Sequence, residues 1–223
     1  MKVSVIIPCY NEEDNIAMVI ERVQNVDLGS SKEIIVIDDC SIDNSANIVS
    51  RIRGVKLIRH IRNLGKGGAI HTGLKEASGD LVVIQDADLE YAPEEIPRLL
   101  KPILEKKADV VYGSRFLGRI EDMTFWHFVG NKILSYATRF LYNVTITDVM
   151  TGYKVFKRRV LDKIELKARG FEFEVEITIE ILKKGYSIVE VPIAYAYRER
   201  GKSKINWMDG MISLWWLLKS KII

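Results

Sequence analysis

Residues 81–88 read LVVIQDAD. Leu81 to Ile84 is a short apolar, β-branched run, the pattern of a strand buried on both faces. It leads straight into Gln85-Asp86-Ala87-Asp88. On an extended chain, residues i and i+2 face the same way, about 6.5–7 Å apart at Cα. Asp86 and Asp88 can therefore converge on one hard divalent cation. Mg²⁺ or Mn²⁺ binds through one or two carboxylates, keeps several waters, and takes its remaining ligands from substrate phosphates. Glu90 is a candidate third ligand. Three acids taken alone more often form a solvated turn, but these follow the end of a buried strand, where sites form, and that position favours the metal.

Working outward, the same unit recurs. Val3 to Pro8 is a buried-type strand. Asn11 is placed to cap the following helix, with Glu12, Glu13 and Asp14 in its first turn, where negative charge suits the helix dipole. Ile16, Val19, Ile20 and Val23 then fall on one helical face. Glu33 to Ile37 is a second strand, ending in Asp38-Asp39. Ile42 to Ile52 reads as a helix and Val55 to Arg59 as a third strand. Gly65-Lys66-Gly67-Gly68 opens another helix. Strands alternating with helices predict an α/β fold: a Rossmann-like, mostly parallel sheet with helices on both faces. Ligands of such sheets sit beyond the carboxyl ends of the strands. Here those ends carry Pro8 to Asn11, Asp38-Asp39 and Asp86 to Asp88.

The second half is less periodic. Ile96, Leu99, Leu100, Ile103 and Leu104 keep helical spacing, with Pro102 expected to kink or restart the helix. Val110 to Tyr112 reads as a strand, Phe125 to Tyr142 as a helix and Ile188 to Ile193 as a strand. Phe171 to Val175 alternates apolar residues with Glu and reads as a strand that turns helical towards Leu182. A strongly apolar helix runs from Trp207 to Ile223. No linker or repeat divides the chain, so residues 1–206 are expected to form one domain and 207–223 an amphipathic helix.

The 223 residues are enough for a sizeable core, and 48% hydrophobic with 28% charged is an ordinary globular balance. A net charge of +3 is too small to argue for nucleic acid. The charge is uneven, however: after residue 197 there are six basic residues (Arg198, Arg200, Lys202, Lys204, Lys219, Lys221) and two acidic ones. Two cysteines do not make a disulfide framework or a zinc site, and His60, His71 and His127 lack metal-ligand spacing. No leader-like or membrane-spanning apolar run occurs, so a cytoplasmic setting is expected. No GxGxxG follows the first strand, and Gly201-Lys202-Ser203 is not the tail of a phosphate-binding loop, because Ala196 stands at its first glycine position.

These residues resemble a known family. IIPCYNEEDN (6–15), VIDDCSIDNS (36–45), RNLGKGGAI (62–70) and IQDADLEY (84–91) are similar to the inverting GT-A glycosyltransferases of family 2. GSR (113–115), DVMTGYKVF (148–156), GFEFEVEIT (170–178) and EVPIAYAYRERGKSKI (190–205) narrow the resemblance to polyprenyl-phosphate sugar transferases of the dolichol-phosphate mannosyltransferase kind. The resemblance implies that Pro8, Tyr10 and Glu12 line the base and ribose pocket, and that Ile37 and Asp39 hold the base. It implies that Asp86, Ala87, Asp88 and Glu90 surround metal and diphosphate, and that Arg115, Arg198 and Lys204 meet phosphate. Where the mannosyltransferases carry another Arg in the helix after GSR, this chain reads Gly130-Asn131-Lys132. Glu176 coincides with a family Glu.

The expected reaction is inverting transfer of a sugar from a nucleotide-activated donor, of the GDP-mannose or UDP-glucose type, to a polyprenyl (dolichyl) phosphate at a membrane surface. Asp88, Arg115 and Asp148 are the expected catalytic residues. Lys66 either caps a helix start or approaches phosphate, and Asp148 either caps a turn or orients the acceptor. One rival is a transferase of the same fold with a sugar hydroxyl acceptor, for which Asp148 would be the base. Another is a silent sugar-nucleotide-binding module serving a membrane partner. Trp215 and Trp216 beside Lys219 and Lys221 suit a helix at the bilayer interface. Packing on the protein's own core or at a dimer interface is the competing role. The chain is expected to act peripherally on the cytoplasmic face, anchored by a partner subunit or by a membrane-spanning tail beyond residue 223.

Overall fold

The computed structural model describes residues 1–121, 123–196 and 207–222. Its seven strands are β1 (Lys2–Cys9), β2 (Ser31–Asp38), β3 (Val55–Arg59), β4 (Leu81–Ile84), β5 (Val110–Ile120), β6 (Lys154–Lys157) and β7 (Ile188–Tyr195). They form one sheet in the order β3-β2-β1-β4-β6-β5-β7. The first four are parallel, β5 and β7 are parallel, and β6 runs antiparallel to both its neighbours. The mostly parallel α/β class read from the sequence is the observed one. The antiparallel β6 was not foreseen: four residues bounded by Lys at each end carry no periodic signal.

Chain order runs outward from β1 to β3 on one side and through β4 on the other. The carboxyl ends of β1 and β4 therefore flank the point where the order reverses. Ile6 lies opposite Ile84, and the Gln85 amide donates to the Ile6 carbonyl at 3.0 Å. Pro8, two residues on, faces the same side, where β4 has already ended. Its missing N–H leaves no ladder bond unmade, so a proline sits in a central strand without cost.

Helices cover both faces: α1 (Ile16–Asn25), α2 (Ser45–Ser50), α3 (Gly65–Glu76), α4 (Ile96–Leu104), α5 (Phe125–Tyr142), α6 (Arg158–Leu161), α7 (Phe173–Lys183) and α8 (Trp207–Ile222). Ile16, Val19, Ile20 and Val23 form the buried face of α1, as their spacing predicts. Several expectations are corrected. Asn11 does not cap α1: it is left-handed (φ 51°), its Oδ1 accepts from the Ile42 amide, and Glu12 to Asp14 precede the helix rather than forming its first turn. Pro102 does not divide α4, because it falls in the last turn, where its absent donor removes only one bond. Phe171 to Val175 is not a strand. Helix α7 begins at Phe173 and buries Phe173, Glu174, Val175 and Glu176 together.

Candidate active site

Beyond the strand ends lies a cavity of about 570 Å³. The three segments read from the sequence converge on it: Pro8 at the end of β1 with Tyr10 and Glu12 beyond it, Asp39 after β2, and Asp86, Ala87, Asp88 and Glu90 after β4. The opposite wall comes from Arg115, the start of α5 (His127, Asn131), Gly152, Phe171, Glu174 and Tyr195.

The acidic turn is held from behind. Gln85 is fully buried, and its Nε2 donates to the carbonyls of Tyr91 (3.1 Å) and Asp86 (3.2 Å). Leu89 is left-handed (φ 64°), and the Glu90 amide donates to Asp88 Oδ1 at 3.2 Å. Glu90 ties this turn to β7, accepting the Tyr195 hydroxyl at 2.8 Å, while its carbonyl accepts the Ala196 amide at 3.0 Å. One Glu90 oxygen is thus engaged with Tyr195 before any metal binds.

Asp39 is buried, and three donors hold it: the amides of Leu64 and Gly65, both at 2.8 Å, and a 2.7 Å contact to His60 Nδ1. It fixes the loop that enters α3. Gly65 takes φ +82°, and a Cβ at Gly65 or Gly67 would strike the backbone at Ala168 and Arg169. The amides of Gly67 and Gly68 donate to the carbonyls of Gly170 (3.3 Å) and Arg169 (3.0 Å). The start of α3 is thus capped by its own chain. Glu176 supports that contact from below, accepting the amides of Lys167 and Ala168. It is a brace for the loop, away from the cavity wall.

Lys66 reaches the cavity instead. Its Nζ lies 2.8 Å from Asp86 Oδ1, 3.0 Å from Oδ2 and 3.1 Å from Glu174 Oε1. Burial alone would lower this ammonium, but the two carboxylates outweigh it and hold its pKa above the usual lysine value. Behind Glu174 stands Lys154, wholly buried, which donates to Glu174 Oε2 and to the carbonyls of Val149 and Thr151. Burial draws Lys154 below the ordinary lysine value despite Glu174. Four charges alternate from cavity to core: Asp86, Lys66, Glu174, Lys154.

On the far wall Arg115 is clamped. Its Nε and Nη2 donate to the two Asp148 oxygens at 2.7 and 2.8 Å, and its amide donates to Oδ2 at 3.0 Å. The guanidinium carbon lies 5.3 Å from the Tyr195 ring centroid. Burial opposes the charge on Arg115, yet Asp148 keeps its pKa well above the ordinary arginine value. Glu190 in turn accepts the amides of Thr147 and Asp148.

Two expectations for single residues change. Ile37 does not reach the cavity; it is packed with Ile6, Ile35 and Ala69 in the core beneath. Asp148, expected in the catalytic set, is fully buried with both oxygens on Arg115 and does not line the cavity. Arg198 and Lys204 lie outside the described residues. Sequence reasoning missed Glu174, Lys154, Tyr91 and Tyr195. For the two charged residues, the only local sign was a charge inside an apolar run.

Among the described residues no group of three or more His, Cys, Asp or Glu side chains is gathered into a metal site. A pair of carboxylates beside a cavity suits an ion that completes its shell with phosphate oxygens and water, and the all-oxygen donors of Asp86 and Asp88 fit Mg²⁺ or Mn²⁺.

The glycosyl transferase family 2 model matches residues 4–165. The chain belongs to glycosyl transferase family 2. This glycosyltransferase is 38% identical over 219 residues to the dolichol-phosphate mannosyltransferase of Pyrococcus furiosus, covering 92% of the chain but only 60% of that relative's length. It is 33% identical to the polyprenol monophosphomannose synthase of Mycolicibacterium smegmatis (91% of the chain, 80% of the relative). With the undecaprenyl-phosphate mannosyltransferase of Micrococcus luteus the identity is 31% (92% and 88%). Its GT-A-like fold superposes on glucosyl-3-phosphoglycerate synthase from Mycobacterium tuberculosis, solved with Mn²⁺, UDP and phosphoglyceric acid. The TM-score is 0.83 at 21% identity, over all of this chain and 79% of that one.

Proposed function

We propose that this glycosyltransferase moves a sugar, with inversion, from a nucleoside-diphosphate donor of the GDP-mannose or UDP-glucose type to a polyprenyl phosphate. The observation that carries the choice of acceptor is the engagement of Asp148. A hydroxyl nucleophile needs a general base. The carboxylate best placed in the sequence for that task has both oxygens on Arg115 and none on the cavity. A phosphate acceptor is largely ionised near neutral pH and needs positioning and charge screening instead. Arg115, held rigid on the far wall, suits that role. The basic excess after residue 197 and the names of the mannosyltransferase relatives point the same way.

Pro8, Tyr10, Glu12 and Asp39 would enclose the base and ribose, and Asp86 and Asp88 would hold the divalent ion. When bound, that ion screens the diphosphate charge that builds as the leaving group departs. Arg115 then fixes an anionic oxygen near the anomeric carbon and lowers the entropy cost of in-line attack.

A membrane-lipid acceptor also accounts for the outer surface. Helix α8 packs on α5 and α7 through Ser213 and Leu217, both fully buried, and Tyr142 shares a 2.8 Å hydrogen bond with Ser220. Its other face leaves Trp207, Met211 and Trp215 more than half exposed, continuous in kind with Trp126, Tyr136 and Phe140 on α5. The docked face and the exposed aromatic face thus belong to one helix. Among the described residues no helix is long and apolar enough to cross a membrane. We read the aromatic face, with Lys219 4.5 Å from the Trp215 ring centroid, as resting at a bilayer surface.

The test offers GDP-mannose or UDP-glucose with polyprenyl phosphate, the matching polyprenol or a free sugar, in Mn²⁺, on anionic liposomes. Transfer to the phosphate alone, abolished by EDTA, with the protein sedimenting with the liposomes, is expected. Transfer to a hydroxyl in place of the phosphate overturns the acceptor assignment. Donor binding without any transfer or hydrolysis would make the chain a binding module.

A further inference from the structure

We propose that Lys66 is the metal site's own counter-cation: it occupies Asp86 until a divalent cation arrives, and Glu174, fixed in place by Lys154, then receives it. The inference rests on the reading of Asp86 and Asp88 as metal ligands and adds a competitor for one of them.

Three observations carry it. First, the Lys66 ammonium lies against both Asp86 oxygens, at 2.8 and 3.0 Å. A metal ion bonds oxygen at about 2.0–2.1 Å, so it cannot take an Asp86 oxygen while an ammonium stays on it without strong repulsion. Second, Glu174 Oε1 is buried and 3.1 Å from Lys66, yet no hydrogen bond is aligned on it. It attracts the ammonium by charge and still has its acceptor capacity unspent. A small turn of the Lys66 side chain would exchange the Asp86 contact for a proper bond to Glu174. Third, Glu174 cannot follow Lys66 out. Its second oxygen is bonded to Lys154, which is wholly buried, holds the Val149 and Thr151 carbonyls, and lies 4.7 Å from the Tyr112 ring centroid.

Space for the exchange comes from Gly152. A Cβ there would collide with Asp86 Oδ2 and Lys66 Nζ. The competing cation also has a physical purpose. Asp86 is mostly buried, and an uncompensated carboxylate there would cost stability. Lys66 neutralises it in the empty enzyme, and on donor binding it becomes a cation one side-chain rotation from the diphosphate. The amides of Gly67 and Gly68, at the start of the same helix, are already spent on Arg169 and Gly170.

The experiment reads Mn²⁺ affinity of the donor-free protein by electron paramagnetic resonance of the unbound ion. Circular dichroism checks the fold of each variant. Lys66→Met is expected to bind Mn²⁺ roughly tenfold more tightly than the parent, because a like charge has been removed from the ligand. Lys66→Arg keeps the charge and should stay within about twofold of the parent. Glu174→Gln removes the receiving charge and should weaken binding. A folded Lys66→Met with unchanged or weaker Mn²⁺ affinity overturns the proposal. If that variant does not fold, unchanged or tighter binding by Glu174→Gln does so instead. A parallel titration with UDP or GDP present separates this from the metal reading itself. Loss of the Lys66 effect with nucleotide-dependent Mn²⁺ binding intact rejects only the counter-cation. No Mn²⁺ binding by the parent even with nucleotide rejects the metal site.

Discussion

The two halves of the cavity keep their charges in different ways. On the donor side, Asp86 and Asp88 stand on the turn after a buried strand, and the partner of Asp86 is a lysine from the cavity wall. On the acceptor side, Arg115 has a sealed partner, with Asp148 fully buried and Glu190 clamping the amides behind it. The first cation lies between two carboxylates, Asp86 and Glu174, while the second is bonded to both oxygens of one. On the proposed reading, the same residue type, aspartate, is a ligand in one half and a positioning residue in the other. Mutations should separate the two roles.

The largest effect is expected from Asp88→Asn. Transfer should fall by at least about a hundredfold, the scale seen when a preorganised electrostatic group is lost. Because Asp88 lies on a turn at the cavity edge, the melting temperature should barely change. A thermal scan beside a transfer assay checks both. Substantial activity, or a large loss of stability, would erase the contrast between the halves.

Asp148→Asn should instead lower stability and rate together. Removing one partner of a buried pair leaves an uncompensated charge, at a cost of roughly 3–5 kcal/mol. Denaturant unfolding should show that loss, and Arg115→Met in the same background should recover part of it while activity stays low. A stable Asp148→Asn protein as inactive as Asp88→Asn would instead make Asp148 the general base of a hydroxyl-transferring enzyme.

The smallest effect lies at the opposite end of the sheet. Burial opposes the charge on Glu33, but bonds from Lys2, Ser4 and Ser78 prevail and draw its pKa from 4.5 down to about 2. A carboxylate with a depressed folded pKa stabilises above its unfolded value, and that contribution is lost as pH falls from about 4.5 through about 2. Glu33→Gln should therefore cost about 1 kcal/mol at neutral pH after allowing for solvent screening. The difference from the parent should close as pH approaches 2, with transfer unaltered. A gap that persists in acid would mean packing, not charge, is responsible.

The same contrast governs how much could be read in advance. Strands β1, β2 and β4 were visible because burial on both faces leaves an apolar run, and the acids at their ends were visible because they interrupt it. Ile37 was misplaced because it still lies within β2 and packs into the core beneath the site, while Asp39, just past the strand end, reaches the cavity. In the second half, Phe171 to Val175 mimicked a strand because Glu172 and Glu174 alternate with apolar residues and suggest a wet face, as does Glu176 just beyond. Glu174 and Glu176 are buried, one by lysines from distant segments and one by loop amides, and neither partner leaves a local mark. Lys154 escaped notice for the same reason.

The cap on α3 has a consequence for the order of events during folding. The Gly67 and Gly68 amides find their acceptors at Gly170 and Arg169, about a hundred residues later, and Lys66 meets Glu174 across a similar gap. Contacts of such sequence separation carry a high loop-closure cost and tend to form late. The parallel strands close shorter loops, the longest being β1 with β4 from Val3 to Leu81, so a sheet with an unfinished cavity can precede the working enzyme. Catalytic competence is thereby tied to arrival of the chain's last third, and a compact intermediate would have its donor-side carboxylates in place before the residues that balance them.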